Sequence, residues 1–540
     1  MKTAEAQFGE RFPKYALLAP RWIPKVPTPC ELKIHNLQLN TVEVLYVFGL
    51  RIEAYLLLKE WLHANPERQL VFLEEDEGII AAAILDNALS LSDPQVDLEW
   101  LQQGPQRNAQ LIALAERYPA KRIETVNCTS KPFKLESLTL LRKTTLSHAH
   151  FTDRLHSFQL FHNFVRNTQH LPHMFYANGL RGAFQGVPAI VCGAGPSLQN
   201  AISLLKELDG RALIIAGGST LAALSAAGVE PHFGMAVDPN EEEMRRFEQS
   251  FCNECPLLIS TRVYPGIFRT CNGPFGYMRS GIGGACELWL EDALGLNEPQ
   301  IAQHLSEESM SVTSTCLAFA QYIGCTCILL SGVDLAYTDG KRYATGVMKE
   351  ELKNKSQALS CSTADQILWR KDKRGMRVAT AVRWVMEAAS IAHLAKCHPE
   401  IRWINTTEGG LSIAGLEEMS LKRAAKECLS SWWDLRGKVT QQIALNPLPA
   451  LPGAALVEFR ASLERLIEHL EVLNEQRPGS KALAEFELHE EIAYSVLLYD
   501  MPELTNQALS RKLRGQNEAL AKAKWALQLQ IAKKHLEQLV

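Results

Sequence analysis

Between Ala189 and Ser331 short aliphatic runs recur, most of them ending in glycine, a hydroxyl or an acid, and this recurrence constrains the chain more than any other feature. Ala189–Cys192, Arg211–Ala216, Phe233–Val237, Pro256–Ser260 and Thr326–Ser331 are apolar almost throughout rather than at alternate positions. Strands buried on both faces carry that composition, and they belong to parallel sheets whose crossovers are helices. Helical patterns separate several of the runs, so the expected fold is α/β, with a doubly wound parallel sheet over residues 188–418.

The flanks read differently. Residues 1–150 alternate strand and helix: Val44–Phe48, a turn at Gly49, a helix over Ile52–His63, and Gln69–Leu73 running into Glu74, Glu75 and Asp76. That outline fits a βαβ nucleotide unit, but a single glycine specifies a phosphate loop poorly, and a structural use is expected. Residues 151–187 read as a helical connector on the spacing of Leu155, Phe158, Phe161 and Phe164. Residues 419–540 form an all-helical C-terminal domain, with Leu456, Phe459, Leu463, Leu466, Leu470 and Leu473 as a packing seam. Such a seam serves a bundle within the chain or a homo-oligomer.

Composition narrows the function. A net charge of -4 argues against a general nucleic-acid partner, and no apolar stretch approaches the roughly 20 residues of a membrane span. Thirteen dispersed cysteines suit a reducing, cytoplasmic compartment, and the Cys252/Cys255 pair lacks the second pair a zinc site needs, so both read as buried thiols.

Chemistry concentrates at the strand ends. Cys192-Gly193-Ala194-Gly195-Pro196-Ser197 joins a strand to a helix: two glycines admit close backbone approach, and Ser197 brings a hydroxyl to the helix N-terminus, where anions bind. The next two runs end on Gly217-Gly218-Ser219-Thr220 and on Asp238, and a later one leads to Asp334 in Gly332–Gly340. If one parallel sheet holds them all, Ser197, Ser219, Asp238 and Asp334 share its carboxyl edge and one cleft. Two carboxylates there would hold a cation, bind a ribose or supply a base. Trp369–Gly375 with Arg377 is a basic loop, read as solvated surface or as a lid gripping phosphate or carboxylate. Asn405 and Glu408 lie in a polar loop after Trp403, on a possible ligand rim.

In this order GAGPSL at Gly193–Leu198, Asp238-Pro239, GVDLAYTDGKRYATG at Gly332–Gly346, the Gly375–Thr380 stretch and INTTEGG at Ile404–Gly410 resemble the motility accessory factor (Maf) glycosyltransferases. The resemblance implies a Rossmann-like catalytic domain that moves a nonulosonic, sialic-acid-like sugar from a CMP-linked donor to Ser or Thr hydroxyls of a protein such as flagellin. It implies no cofactor and no metal. Carried onto this chain, it places Gly193, Gly195, Pro196 and Ser197 at the nucleotide phosphate, Gly218 and Ser219 at nucleotide or sugar, and Tyr337, Asn405 and Glu408 nearby. Asp238 and Asp334 line the reaction edge, with Asp238 as expected general base and His232 and His304 as rivals. Cys192 and the small Gly217-Gly218 pair depart from the pattern. The same core is similar to 6-hydroxymethylpterin pyrophosphokinases of the MptE type, which would transfer diphosphate from ATP with Mg, and a non-catalytic nucleotide scaffold is a third reading.

Overall fold

Every residue of Val44–Phe48 (β1) is apolar and every one is buried, as a strand needs when helices cover both faces of its sheet. In the computed structural model β1 pairs in parallel with β2 (Gln69–Glu74) and β4 (Ile123–Asn127), and β2 with β3 (Val96–Trp100), giving the order β3-β2-β1-β4. The structure describes residues 4–539 apart from 30, 31, 33, 35, 36, 38, 156, 249, 251, 282 and 310 and the stretches 348–365, 476–480 and 499–516. The chain divides into one unit of residues 1–151 with 362–366 and a second of residues 152–361 with 367–540.

In the first unit alternate residues go to opposite faces. Leu45, Val47, Leu70 and Phe72 pack with Ala54, Leu58 and Ile80, while Tyr46, Phe48 and Val71 pack with Leu111 and Leu114. The acidic end of β2 serves the fold itself. Glu74 Oε2 accepts the Leu50 amide at 2.8 Å, and Oε1 accepts the amides of Glu75 and Asp76 at 2.8 and 2.9 Å. Glu74 thus pins the turn after β1, so the carboxylate that would hold a ribose in a nucleotide unit is already occupied.

The second unit carries, among the described residues, a nine-stranded sheet in the order β15-β14-β11-β6-β7-β8-β9-β10-β5, with every neighbouring pair parallel. Its strands are β5 (Phe175–Tyr176), β6 (Ala189–Cys192), β7 (Leu213–Gly217), β8 (Phe233–Ala236), β9 (Leu257–Ile259), β10 (Phe275–Tyr277), β11 (Cys327–Ser331), β14 (Arg402–Asn405) and β15 (Glu417–Glu418). From β6 the chain steps outward through β7 to β10, then returns to lay β11 against the other side of β6. The switch point of a doubly wound sheet therefore lies between β6 and β11.

Two readings of the sequence change here. The stretch read as a helical connector also supplies β5, an edge strand of two residues, too short to show any periodicity. The basic loop is a hairpin: β12 (Ile367–Lys371) pairs antiparallel with β13 (Arg377–Ala381), and Asp372 Oδ1 accepts the turn amides of Arg374 and Met376 at 2.9 and 2.8 Å. A side chain that caps its own backbone in this way builds a turn from residues whose composition reads only as charged surface.

In the C-terminal region the seam is used within the chain. Phe459, Leu463, Leu466, Leu470 and Leu473 are buried on the helix Gly453–Glu475, which packs against Lys481–Glu490 and Asn517–Gln538. No helix among the described residues is long and apolar enough to cross a membrane.

Candidate functional site

The turn after β6 is shaped by how closely the β11 loop approaches it. The amides of Gly193 and Gly195 donate to the carbonyls of Ser331 and Gly332, both at 2.8 Å. A Cβ on Gly195 would lie 2.1 Å from Asp334 Oδ2 and 2.7 Å from Gly332 O, so only glycine fits.

Asp334 fills the place where an external anion was expected. Ser197 Oγ donates to Asp334 Oδ2 at 2.6 Å, and the Ser197 amide faces the same carboxylate at 3.3 and 3.4 Å. Asp334 is 2% exposed. Burial pushes its carboxyl above the usual carboxylate range, while the Ser197 hydroxyl and amide and the Lys373 charge oppose the rise. Asp334 therefore closes the helix N-terminus from inside the protein, and the Ser197 donors are spent on it. The next residue, Leu335, has φ 51, a left-handed conformation costing about 1–3 kcal/mol in a branched residue. Its neighbours hold it there: the Leu335 carbonyl accepts from Thr380 Oγ1 at 2.6 Å, and the Leu411 amide donates to the Asp334 carbonyl at 2.9 Å.

Above this lock, at the switch point, opens a cleft of about 300 Å³. Pro196, Ser197 and Asn200 form one wall, the β11 loop from Thr338 to Thr345 another, and Arg374 of the hairpin turn and Glu408 after β14 complete it. Lys341 and Arg374 bring positive charge, Asp339 and Glu408 negative charge. Asn200 Nδ2 donates to Glu408 Oε2 at 2.8 Å, fixing that carboxylate over the first turn of the helix Leu198–Glu207. Lys373, beside Arg374, turns inward instead: its ammonium donates to the Thr407 carbonyl at 2.7 Å and pairs with Glu418.

The structure thus brings together Gly193, Gly195, Pro196, Ser197, Asp334 and Glu408. The remaining candidates lie elsewhere or are buried in the fold. Asp238 follows β8, three strands from β11, and strand spacings of about 4.8 Å put roughly 14 Å between the two strand ends. Neither Asp238 nor Asp334 is among the residues that line the cleft of about 300 Å³. Ser219 begins the helix after β7, one strand beyond β6, and is not among the cleft-lining residues. Gly218, at φ 50, is the cap of that helix, and Gly217 is small because a Cβ there would stand 2.2 Å from Val312 Cγ1. Tyr337 is 6% exposed and its ring packs 5.0 Å from Trp384. Asn405 is fully buried, donating to Glu418 and accepting the Thr407 amide at 3.1 Å. Tyr337 and Asn405 shape the loops that line the cleft without reaching it.

Neither rival histidine is placed for the work. His232 precedes β8 at the amino edge, is 2% exposed, and takes the Ile214 amide on Nδ1 at 3.0 Å; burial holds it down at about 4. His304 packs 4.8 Å from His398, which precedes β14 at the same edge. Sequence reasoning passed over Lys341, read Arg374 as solvated surface or part of a lid gripping phosphate or carboxylate, and read Asp339 as a turn. The TDGK and KRG turns held the signal, but only the fold turns them toward one opening.

Residues 162–340 match the family model described as 6-hydroxymethylpterin diphosphokinase MptE-like. Among solved structures the chain is similar to the MAf glycosyltransferase from Magnetospirillum magneticum AMB-1, at 14% identity and a TM-score of 0.53, over 98% of this chain and 87% of that one. The comparison with curated proteins gives no match. The two families named from the sequence motifs are those the comparisons return, and the likeness to the second is one of fold along nearly the whole chain.

Proposed function

We propose that the chain is a glycosyltransferase that moves a sugar from a CMP-linked nonulosonic donor to a Ser or Thr hydroxyl of a protein. The observation that carries the proposal is the cleft at the β6/β11 switch point, where a cation pair and a held carboxylate meet. Departure of CMP leaves negative charge on its phosphate and positive charge on the sugar. Lys341 and Arg374 answer the first, a task the Ser197 donors cannot share while they bind Asp334. The acceptor oxygen bonds to the anomeric carbon as the bond from that carbon to the phosphate oxygen breaks, and the acceptor proton passes to a base. Glu408, exposed in the cleft and oriented by Asn200, fits that role better than Asp238. The likeness of fold over 98% of the chain to a protein described as a glycosyltransferase supports this reading.

A second reading, diphosphate transfer from ATP with Mg, draws on the match at 162–340. Thermal shift separates the two. Protection by CMP without added metal is the transferase outcome; protection by ATP that requires Mg is the kinase outcome. Protection by neither leaves a scaffold and sinks both enzyme readings.

A further inference from the structure

The hairpin β12–β13 has features that the cleft does not use. Residues 369–377 hold five cations, Arg370, Lys371, Lys373, Arg374 and Arg377, and one acid, in a chain whose net charge is -4. That acid, Asp372, is 7% exposed and is consumed inside the turn. Lys373 is turned inward and Arg374 lines the cleft. Arg370, Lys371 and Arg377 remain on the surface, and among the described residues none of the three pairs with a carboxylate. Exposed apolar groups accompany them: Trp369 at 46% and Met376 at 65%. The Arg377 guanidinium lies 4.4 Å above the Trp369 ring.

The backbone adds a second, independent feature. The Asp372 amide donates to the Met376 carbonyl, so by antiparallel alternation Arg370 exchanges bonds with Val378 while Trp369 and Lys371 point N–H and C=O outward. The outer edge of β13 already receives the Tyr337 amide at the Ala379 carbonyl, 2.9 Å. The outer edge of β12 has no strand partner among the described residues. An edge without a strand partner among the described residues, beside cations that have no carboxylate partner there, suits an extended polypeptide whose alternate side chains are acidic.

We propose that β12 docks an extended, acidic segment of the acceptor polypeptide and so delivers its hydroxyl residue to the cleft. This rests on the protein-acceptor reading above. A peptide is favoured over nucleic acid or a bilayer because the outward N–H of Trp369 and the N–H and C=O of Lys371 match a peptide backbone, the Trp369 carbonyl already accepting from Arg370 Nη1 at 3.1 Å, and because Arg377 already covers one face of the Trp369 ring. The turn at Arg374 lines the cleft, and strands rise about 3.3 Å per residue, so the acidic side chains fall within about five residues of the acceptor hydroxyl.

The test uses the full chain and short fluorescent peptides with one central Ser flanked by Glu, Gln or Lys, read by anisotropy. The expected result is preferential binding of the Glu peptide, weakened on the order of tenfold in Lys371→Glu/Arg377→Glu at unchanged melting temperature. Lys371→Gln/Arg377→Gln gives an intermediate loss and serves as the readout if the reversal does not fold. Equal binding of the three peptides, or a Glu peptide indifferent to both variants, overturns the inference. So does tighter binding of an RNA oligomer or of phosphatidylserine vesicles than of the Glu peptide. CMP protection, measured on the same samples, keeps the two readings apart. Protection with a Glu peptide that ignores the variants sinks the docking surface alone. A Glu peptide that depends on Lys371 and Arg377 without CMP protection supports the surface and sinks the transferase.

Discussion

Ser197 gives the buried Asp334 carboxyl two donors from one residue. Ser197→Ala removes the hydroxyl and should destabilise the protein by about 1–3 kcal/mol, the usual loss when a buried polar group is left without its partner, read from the urea midpoint. An unchanged midpoint would mean that the Asp334 carboxyl is satisfied another way. The raised Asp334 carboxyl sets a sign for pH. Between the ordinary carboxylate range and its raised folded value the native state binds more protons than the unfolded state, so this group lowers stability as pH rises through that window. Asp334→Asn should flatten that contribution, and a slope identical to wild type would deny it. At Gly195 the demand is steric. Gly195→Ala forces a methyl against Asp334 and the Gly332 carbonyl and should cost about 1–3 kcal/mol, read from the same midpoint.

Single elements were legible where the pattern is local. Val44–Phe48 and Cys327–Ser331 are apolar runs and become strands, and the seam from Phe459 to Leu473 becomes the buried face of one helix. The hairpin was not, because its turn depends on Asp372 reaching the amides of Arg374 and Met376, and charge alone does not announce that reach. Asp372→Ala should loosen the turn. Amide exchange at Arg374 and Met376 should quicken, with a global loss of about 1–2 kcal/mol at most; unchanged protection would show that the strands hold the turn unaided.

At the scale of the molecule the carboxyl edge was foreseen but its grouping was not. Ser197 and Asp334 meet because β11 returns beside β6, whereas Asp238 is carried off with β8, and strand order is written in no local run of residues. Whole-chain stability carries a further expectation. His232 and His535 are 2% and 0% exposed, and burial holds both imidazoles down at about 4. Unfolded, they take up protons at about 6.5, so stability falls as pH drops from about 6.5 to about 4, by on the order of 3 kcal/mol for each. Chemical denaturation across that range should show the decline, and His535→Phe should reduce it.

On the proposed function, nucleotide binds at the β6/β11 switch point. Calorimetric titration of CMP into wild type, Lys341→Ala/Arg374→Ala and Asp238→Asn tests it most directly. CMP should bind wild type and Asp238→Asn alike, and loss of the cation pair should weaken it on the order of tenfold or more. Affinity that survives loss of Lys341 and Arg374 but collapses in Asp238→Asn would contradict it.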